Sequence, residues 1–526
     1  MKTPYLYITL LAVLGIRAEA LGQEQQLGDA PKLVVSIAID QLRTDYLEAF
    51  APLYSSDGFK RLLGEGLVCA NASYPFTPVD RASAIAALGT GVTPYYNSIA
   101  GLRWLNRETL RPVHCTDDAK HPGILTRQGA SPRHIATSTV TDELKVATAG
   151  KAVVWAIAPY SDAAVLAAGH AADGALWIDD ESGLWCSSQY FFSSMPAWVR
   201  AYNDLQAPCR RISTLTWEPV NALVGNFSYF VQAGEQSPFK HRFAGSDAYA
   251  QYKASAMVNA DVTDMALQCM ASTGMGNDRV TDMLSLTYYA GNFDHRTVTD
   301  CQIELQDTYV RMDHELARLM QGIEQRLGRE RVLFVVTSTG YSDEENTDYS
   351  KYRIPTGTFY MSRTANLLNM YFGAIWGQAR YVEATFRNQI YLNHKLLEQK
   401  KVSITDATTR AQEFLALLSG VRNVYTSLQL LTSLSEHTMK VRNAFSADRC
   451  GDLIVEVAPG WRILNEDTQE QELSRASFTP FPIIFFGAGI APQRITLPVS
   501  TDRIAPTIAR AIRIRAPNAC TAEPLF

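Results

Sequence analysis

KLVVSIAID (32–40) is an almost unbroken apolar run that ends in an acid. A strand wetted on one face alternates apolar with polar residues. A run without alternation belongs to a strand covered on both faces, as in a parallel sheet between helices. KAVVWAIA (151–158), RVLFVVTST (331–339) and PFPIIFFGAGI (480–490) read the same way. Helix signals lie between these runs. QLRTDYLEAF and GFKRLLGEGL continue from the first strand as a helix, and ASAIAALGTGVTP (82–94) is a small-residue helix closed by glycines. CQIELQDTYVRMDHELARLMQGIEQRLG (301–328) places Tyr309, Met312, Leu316, Leu319, Ile323 and Leu327 on one helical face. Strands alternating with helices predict an α/β fold with a mostly parallel central sheet and helices on both faces. Residues 341–450 are richer in Tyr, Asn and helix formers and lead to a strand at DLIVEVAP (452–459), so they read as an inserted cap or lobe.

The chain has 526 residues, 47% of them apolar, which is enough for a large core. Charged residues make up 19% and the formal net charge is -5, with no run rich in Lys and Arg, which excludes nucleic acid as a partner. Residues 1–20 carry a Lys, an apolar stretch and the small-x-small ending Ala18-Glu19-Ala20, the pattern of a secretory signal peptide. Residues 21–30 read as a linker and 31–526 as the main domain, in which no transmembrane segment is expected. The expected location is the periplasm, with full secretion as the alternative. Eight cysteines are dispersed without a CxxC pair, against a zinc ribbon or a thioredoxin-like site. Export allows a Cys186–Cys209 disulfide, with buried free thiols as the other reading.

AIDQLRTDYL, GFKRLLGEGLVCANASYPFTP, TGVTPYYNSIAG, VTDELKVATAGKAVVWAIA, AAGHAADGALWIDDESG, FRNQIYLNHKLLE, VAPGWRI and APNACTAEPL follow one another in this order. Together they resemble the alkaline phosphatase superfamily, specifically the phosphate-irrepressible alkaline phosphatases and type I phosphodiesterase/nucleotide pyrophosphatases of Bacteroidota. The resemblance runs from about residue 31 to the C-terminus. It implies an alkaline-phosphatase-like fold. In active relatives, carboxylates and imidazoles at strand ends hold two zinc ions that clamp the phosphoryl group while a Thr or Ser attacks in line.

Position by position, little of that chemistry is kept. Asp40 alone matches a metal ligand. Arg81 stands in place of the nucleophile, with Asp80 and Ser83 as the neighbouring oxygen donors. The family's T-D-x-x-G-H turn is here TYYAGN: Thr287 and Gly291 remain, while Tyr288 and Asn292 replace the ligands. The A-D-H-G motif has become Thr337-Ser338-Thr339-Gly340, so Ser338 and Thr339 replace Asp and His. The last His falls at Pro480. In the substrate clamp, Leu102 replaces an Asn, and Tyr160 and Asp162 replace the cations of K-x-R. The turns keep their glycines because the backbone still needs them, while the ligands are gone.

Each residue also has an ordinary role to weigh. Asp40 is expected to cap the following helix rather than to remain as a relic ligand. Ser83 is expected to be a small residue in a packed helix, with no His marked as its base. Arg81 is expected to pair with Asp80, Asp40 or Asp162 rather than to bind an anion at the start of the 82–90 helix. No relocated metal site is expected at Asp294, His295 and Asp300. His170 is expected to be packed or hydrogen-bonded, His314 to face solvent, and DEEN (343–346) to be a solvated acidic loop.

Three functions follow from these residues. The first is an exported pseudoenzyme without a cofactor, a scaffold or binding protein of the cell envelope whose partner is an envelope protein or a small ligand. The second is a diverged phosphomonoester or phosphodiester hydrolase with a rebuilt site, built on Asp40, Asp80, Ser83, Ser338 and Thr339, with zinc as cofactor. The third is a binder of small anions or glycans, suggested by Trp177, Trp185, Tyr190, Trp198 and Tyr229. The first is the reading adopted.

Overall fold

The computed structural model describes residues 29–227, 239–342, 349–432, 435–466, 469, 471–473 and 479–526. The signal peptide, most of the linker, Tyr229 and DEEN (343–346) lie outside the described residues. The elements used below are the strands β1 (Leu33–Asp40), β2 (Leu67–Ser73), β3 (Val154–Ile157), β4 (Gly174–Ile178), β5 (Trp185–Ser188), β6 (Asp282–Tyr289), β7 (Val332–Ser338) and β8 (Phe481–Gly487). The helices are α1 (Arg81–Thr90), α2 (Ser161–Ala168), α3 (Val258–Thr273) and α4 (Gln302–Leu327).

The central sheet runs β2-β8-β7-β1-β6-β3-β4-β5, with short strands at both edges. β1 lies between β7 and β6, parallel to both, and β3 and β4 continue the parallel run. β8 is antiparallel to β7 and to β2. Its apolar run foretold burial on both faces but not direction, because burial leaves the same sequence signature either way.

Alternation along β1 divides the core. Leu33, Val35, Ile37 and Ile39 pack with Tyr309, Met312, Leu316, Leu319 and Ile323, the predicted apolar stripe of α4. Ala38 packs on the other face with Ile85 of α1 and Ala163 and Leu166 of α2. Asp40, two residues on, therefore emerges toward the α1 and α2 side.

The single helix expected after β1 is two short ones, Thr44–Ala49 and Phe59–Glu65, because the 3-10 turn Ala51–Leu53 with Pro52 interrupts it. The smaller unit has its own core, with Leu368, Phe372, Leu453 and Val455. Its four-stranded sheet pairs Leu453–Val457 with Gln389–Leu392 and Val421–Thr426, so it continues past residue 450. All eight cysteines are thiols. Cys186 and Cys209 are not joined: Cys186 is buried in the α1/α2 core, and Cys209 sits in the 3-10 turn Pro208–Arg210.

Candidate functional site

The site forms where β1 ends beneath the first turns of α1 and α2. Asp80 is the N-cap of α1: its Oδ1 accepts the backbone N–H of Ser83 at 3.0 Å, and the Ser83 Oγ accepts the N–H of Asp80 at 3.0 Å. This reciprocal capping box fixes Arg81 as the first helical residue. Asp162 is the second residue of α2.

The two helix starts are joined by a fork. Arg81 Nε donates to Asp162 Oδ2 at 2.7 Å and Nη2 to Oδ1 at 3.0 Å, while Nη1 reaches Asp40 Oδ2 at 3.3 Å. The guanidinium carbon lies 3.8 Å from the centre of the Tyr160 ring, and Lys253 Nζ lies 4.5 Å from the same centre. Asp40 is further engaged by Thr339 Oγ1 at 2.8 Å and the Tyr341 hydroxyl at 3.3 Å. The Arg81, Asp40 and Asp162 side chains are 11%, 2% and 3% exposed. Burial works against the Arg81 charge, but the carboxylates, Asp162 foremost, more than offset it and push its pKa up. Burial likewise raises the Asp162 carboxyl, and Arg81 more than reverses this, holding it below the usual carboxylate range. Bidentate geometry makes this a strong charge-assisted pair.

Of the acids offered to Arg81, the structure selects Asp162 and Asp40 and keeps Asp80 for the cap. Asp40 does not cap a helix: the next one begins at Thr44 with Arg43 as N-cap and no side-chain cap bond. The physical reason is strand alternation, which turns Asp40 toward a cation rather than toward backbone N–H groups. Ser83 is buried, its hydroxyl 2.8 Å from Asp80 Oδ1. The Leu102 backbone N–H donates to Asp80 Oδ2 at 2.7 Å.

The other positions compared with the family's ligands stand apart, each with its own local partner. The Tyr288 hydroxyl is 3.0 Å from Thr263 Oγ1 of α3, within the core on the opposite face of the sheet. Asn292 Nδ2 donates to the Arg296 carbonyl at 3.0 Å, and Ser338 Oγ to the Leu42 carbonyl at 2.8 Å. The Pro480 carbonyl accepts the Thr44 N–H at 3.0 Å. Asp300 accepts a hydrogen bond from Thr297 Oγ1 at 2.6 Å, Asp294 lies 3.7 Å from Arg296, and His314 is exposed. Among the described residues no group of three or more His, Cys, Asp or Glu is placed to hold a metal ion. The donors here do not fit two zinc ions, since even one catalytic zinc takes three protein ligands and both Asp40 oxygens already accept hydrogen bonds.

Two contributors escape sequence reading. Lys253 ends the short helix Ala248–Lys253, only 2% exposed, and pairs with Asp180 at 2.5 Å. Tyr341 follows Gly340, just past the end of β7. A lone Lys and a loop Tyr carry no periodic signal.

His170, from the AAGH landmark, lies outside the fork. Its Nδ1 is 2.9 Å from Asp142 Oδ2 and its Nε2 3.2 Å from the Ile135 carbonyl. With an acceptor at each ring nitrogen, the protonated ring has a partner for both of its N–H groups. The Asp142 bond raises the His170 pKa; burial raises the Asp142 carboxyl, but His170 and the hydrogen bonds from Thr139 together more than reverse this and leave it lowered. The raised base stabilises the fold below its ordinary value of about 6.5 and loses that contribution as pH rises through its folded value. The lowered acid contributes above about 3.9 and loses its share as pH falls through its folded value. The thermal-stability deficit of His170→Ala is therefore expected to be greatest between about pH 4 and 6.5 and to shrink toward pH 9. Melting curves across that range check it; a deficit constant with pH contradicts the pair.

The sheet order, with a site at the β1 end facing two helix starts, defines an alkaline-phosphatase-like α/β protein. The family profile of type I phosphodiesterase / nucleotide pyrophosphatase matches residues 34–478, and the chain belongs to that family. It is 26% identical over 511 residues to the alkaline phosphatase PhoV of Synechococcus elongatus, covering 93% of this chain and 91% of that one. It is 25% identical over 537 residues to the alkaline phosphatase PafA of Elizabethkingia meningoseptica, covering 98% of each. The crystal structure of wild-type PafA superposes with a TM-score of 0.81, at 24% identity over 95% of this chain and 99% of that one. No helix among the described residues is long and apolar enough to cross a membrane.

Proposed function

We propose that this member of the family has given up two-zinc phosphoryl chemistry and serves as a binding or scaffold protein of the cell envelope. The observation that carries the reading is the Arg81 fork, which closes Asp40 and Asp162 around an internal cation where the family's nucleophile is expected. Arg has no oxygen with which to attack phosphorus. Its positive charge is already matched by Asp162, and a phosphate brought to this point meets that carboxylate at close range. Zinc content of the mature chain, after equilibration with excess zinc and desalting, is the test. Essentially no zinc and no turnover of p-nitrophenyl phosphate or its diester above buffer are expected. About two zinc ions per chain with turnover at the level of an active relative overturn the reading.

The alternative, a hydrolase with a rebuilt site, draws support from relatives named alkaline phosphatases. It requires Asp40→Ala to abolish whatever hydrolysis is found, and an unchanged rate excludes it.

A further inference from the structure

A cleft of about 610 Å³ opens beside the fork, with Arg81, Tyr160, Asp162, the 179–181 turn and Lys253 in its lining. Its volume is that of a small-molecule site. Six of its charged side chains form three pairs; Arg103 also lines it, as do Asp117 and Asp179, which accept the backbone N–H groups of His114 and Ser182 at 2.8 Å. Arg81 is forked onto Asp162, Lys253 lies 2.5 Å from Asp180, and Arg127 lies 3.2 Å from Glu181. Burial holds His114, in the same lining, below its ordinary pKa.

This pattern discriminates by charge. A phosphate or other anion entering the cleft meets a carboxylate beside each of these cations. An amine meets a guanidinium or ammonium beside each of these carboxylates. Like-charge juxtaposition of this kind rejects wrong ligands more effectively than lost contacts do. An uncharged molecule with neighbouring hydroxyls has no such conflict, because one hydroxyl donates to the carboxylate of a pair while the next accepts from its cation. Gln128, whose Oε1 accepts from Ser161 Oγ at 3.2 Å, adds an amide of the same dual character. Leu102 and Pro112 add apolar atoms to the lining for the C–H faces of a ring ligand.

We propose that this cleft binds an uncharged polyhydroxylated ligand, a neutral mono- or disaccharide, in place of a phosphate ester. The inference rests on the non-catalytic reading above and names the ligand class of that site. The mature full-length chain, without added metal, is screened on a glycan array, and hits are titrated by calorimetry beside inorganic phosphate, p-nitrophenyl phosphate and glycine. Saturable binding of a neutral saccharide is expected. Gln128→Ala and, separately, Glu181→Gln are expected to weaken it roughly tenfold, the loss that follows when a hydrogen-bonding group is removed. Arg410→Ala, in a helix of the smaller unit, is the folded control and is expected to leave binding unchanged. A flat array, preference for phosphate or glycine, or saccharide binding untouched by both cleft variants overturns the proposal. Phosphatase assays with zinc on the same preparations separate the two claims. Hydrolysis overturns the functional reading, whereas no hydrolysis and no saccharide binding overturns the ligand class alone.

Discussion

Arg81→Ala is expected to lower the free energy of unfolding by roughly 3–5 kcal/mol, the usual cost of removing one partner from a buried ion pair. The loss exceeds the net worth of the interaction, because Asp162 and Asp40 stay behind with exposures of 3% and 2%. Arg81→Lys is expected to recover only part of it, since an ammonium supplies charge but not the two parallel N–H groups that meet Asp162. Arg81→Ala combined with Asp162→Ala is expected to be more stable than Arg81→Ala alone, because the second change removes the stranded carboxylate. Chemical denaturation of the four proteins tests the set. An Arg81→Ala midpoint indistinguishable from wild type means that the fork contributes nothing to the fold.

Gly340→Ala is expected to cost roughly 2–5 kcal/mol, combining strained backbone with overpacking. Gly340 has φ +72°, and a Cβ built on it meets the Tyr74 ring at 2.6 Å and the Phe481 ring at 2.7 Å. Neither ring has room to withdraw: Tyr74 and Phe481 are buried and packed on each other with centroids 5.5 Å apart, and the Tyr74 hydroxyl donates to the Ser338 carbonyl at 2.9 Å. Gly340 therefore serves the packing of the Tyr74 and Phe481 rings. Denaturation midpoints check the cost, and a shift below about 0.5 kcal/mol, the range of neutral surface changes, contradicts it.

The sequence was most legible where one physical term dominates. The apolar runs of β1, β7 and β8 and the stripe of α4 follow from burial alone, and each is found in its expected place. Strand direction at β8 and the membership of Leu453–Val457 in the smaller sheet were not legible, because an apolar strand looks alike in either setting. At the site, the pairing of Arg81 with Asp162 and Asp40 was foreseeable because a buried cation requires an acid. The role of Asp40 was misjudged as a cap. Gln41, at φ +66°, turns the chain directly after the strand, and such a turn leaves no mark in residue order. Lys253 was missed because only tertiary contact brings the end of a short helix over the Tyr160 ring.

The fork also ties residue 81 to residue 162. A hydroxyl placed at residue 81 alone strands two buried carboxylates. A cation placed at residue 162 alone sets it against the Arg81 guanidinium, with Asp40 as the carboxylate left in the fork. Each single change passes through a destabilised protein that the other change relieves. The two positions are therefore expected to vary together, as one unit spread over two helix starts.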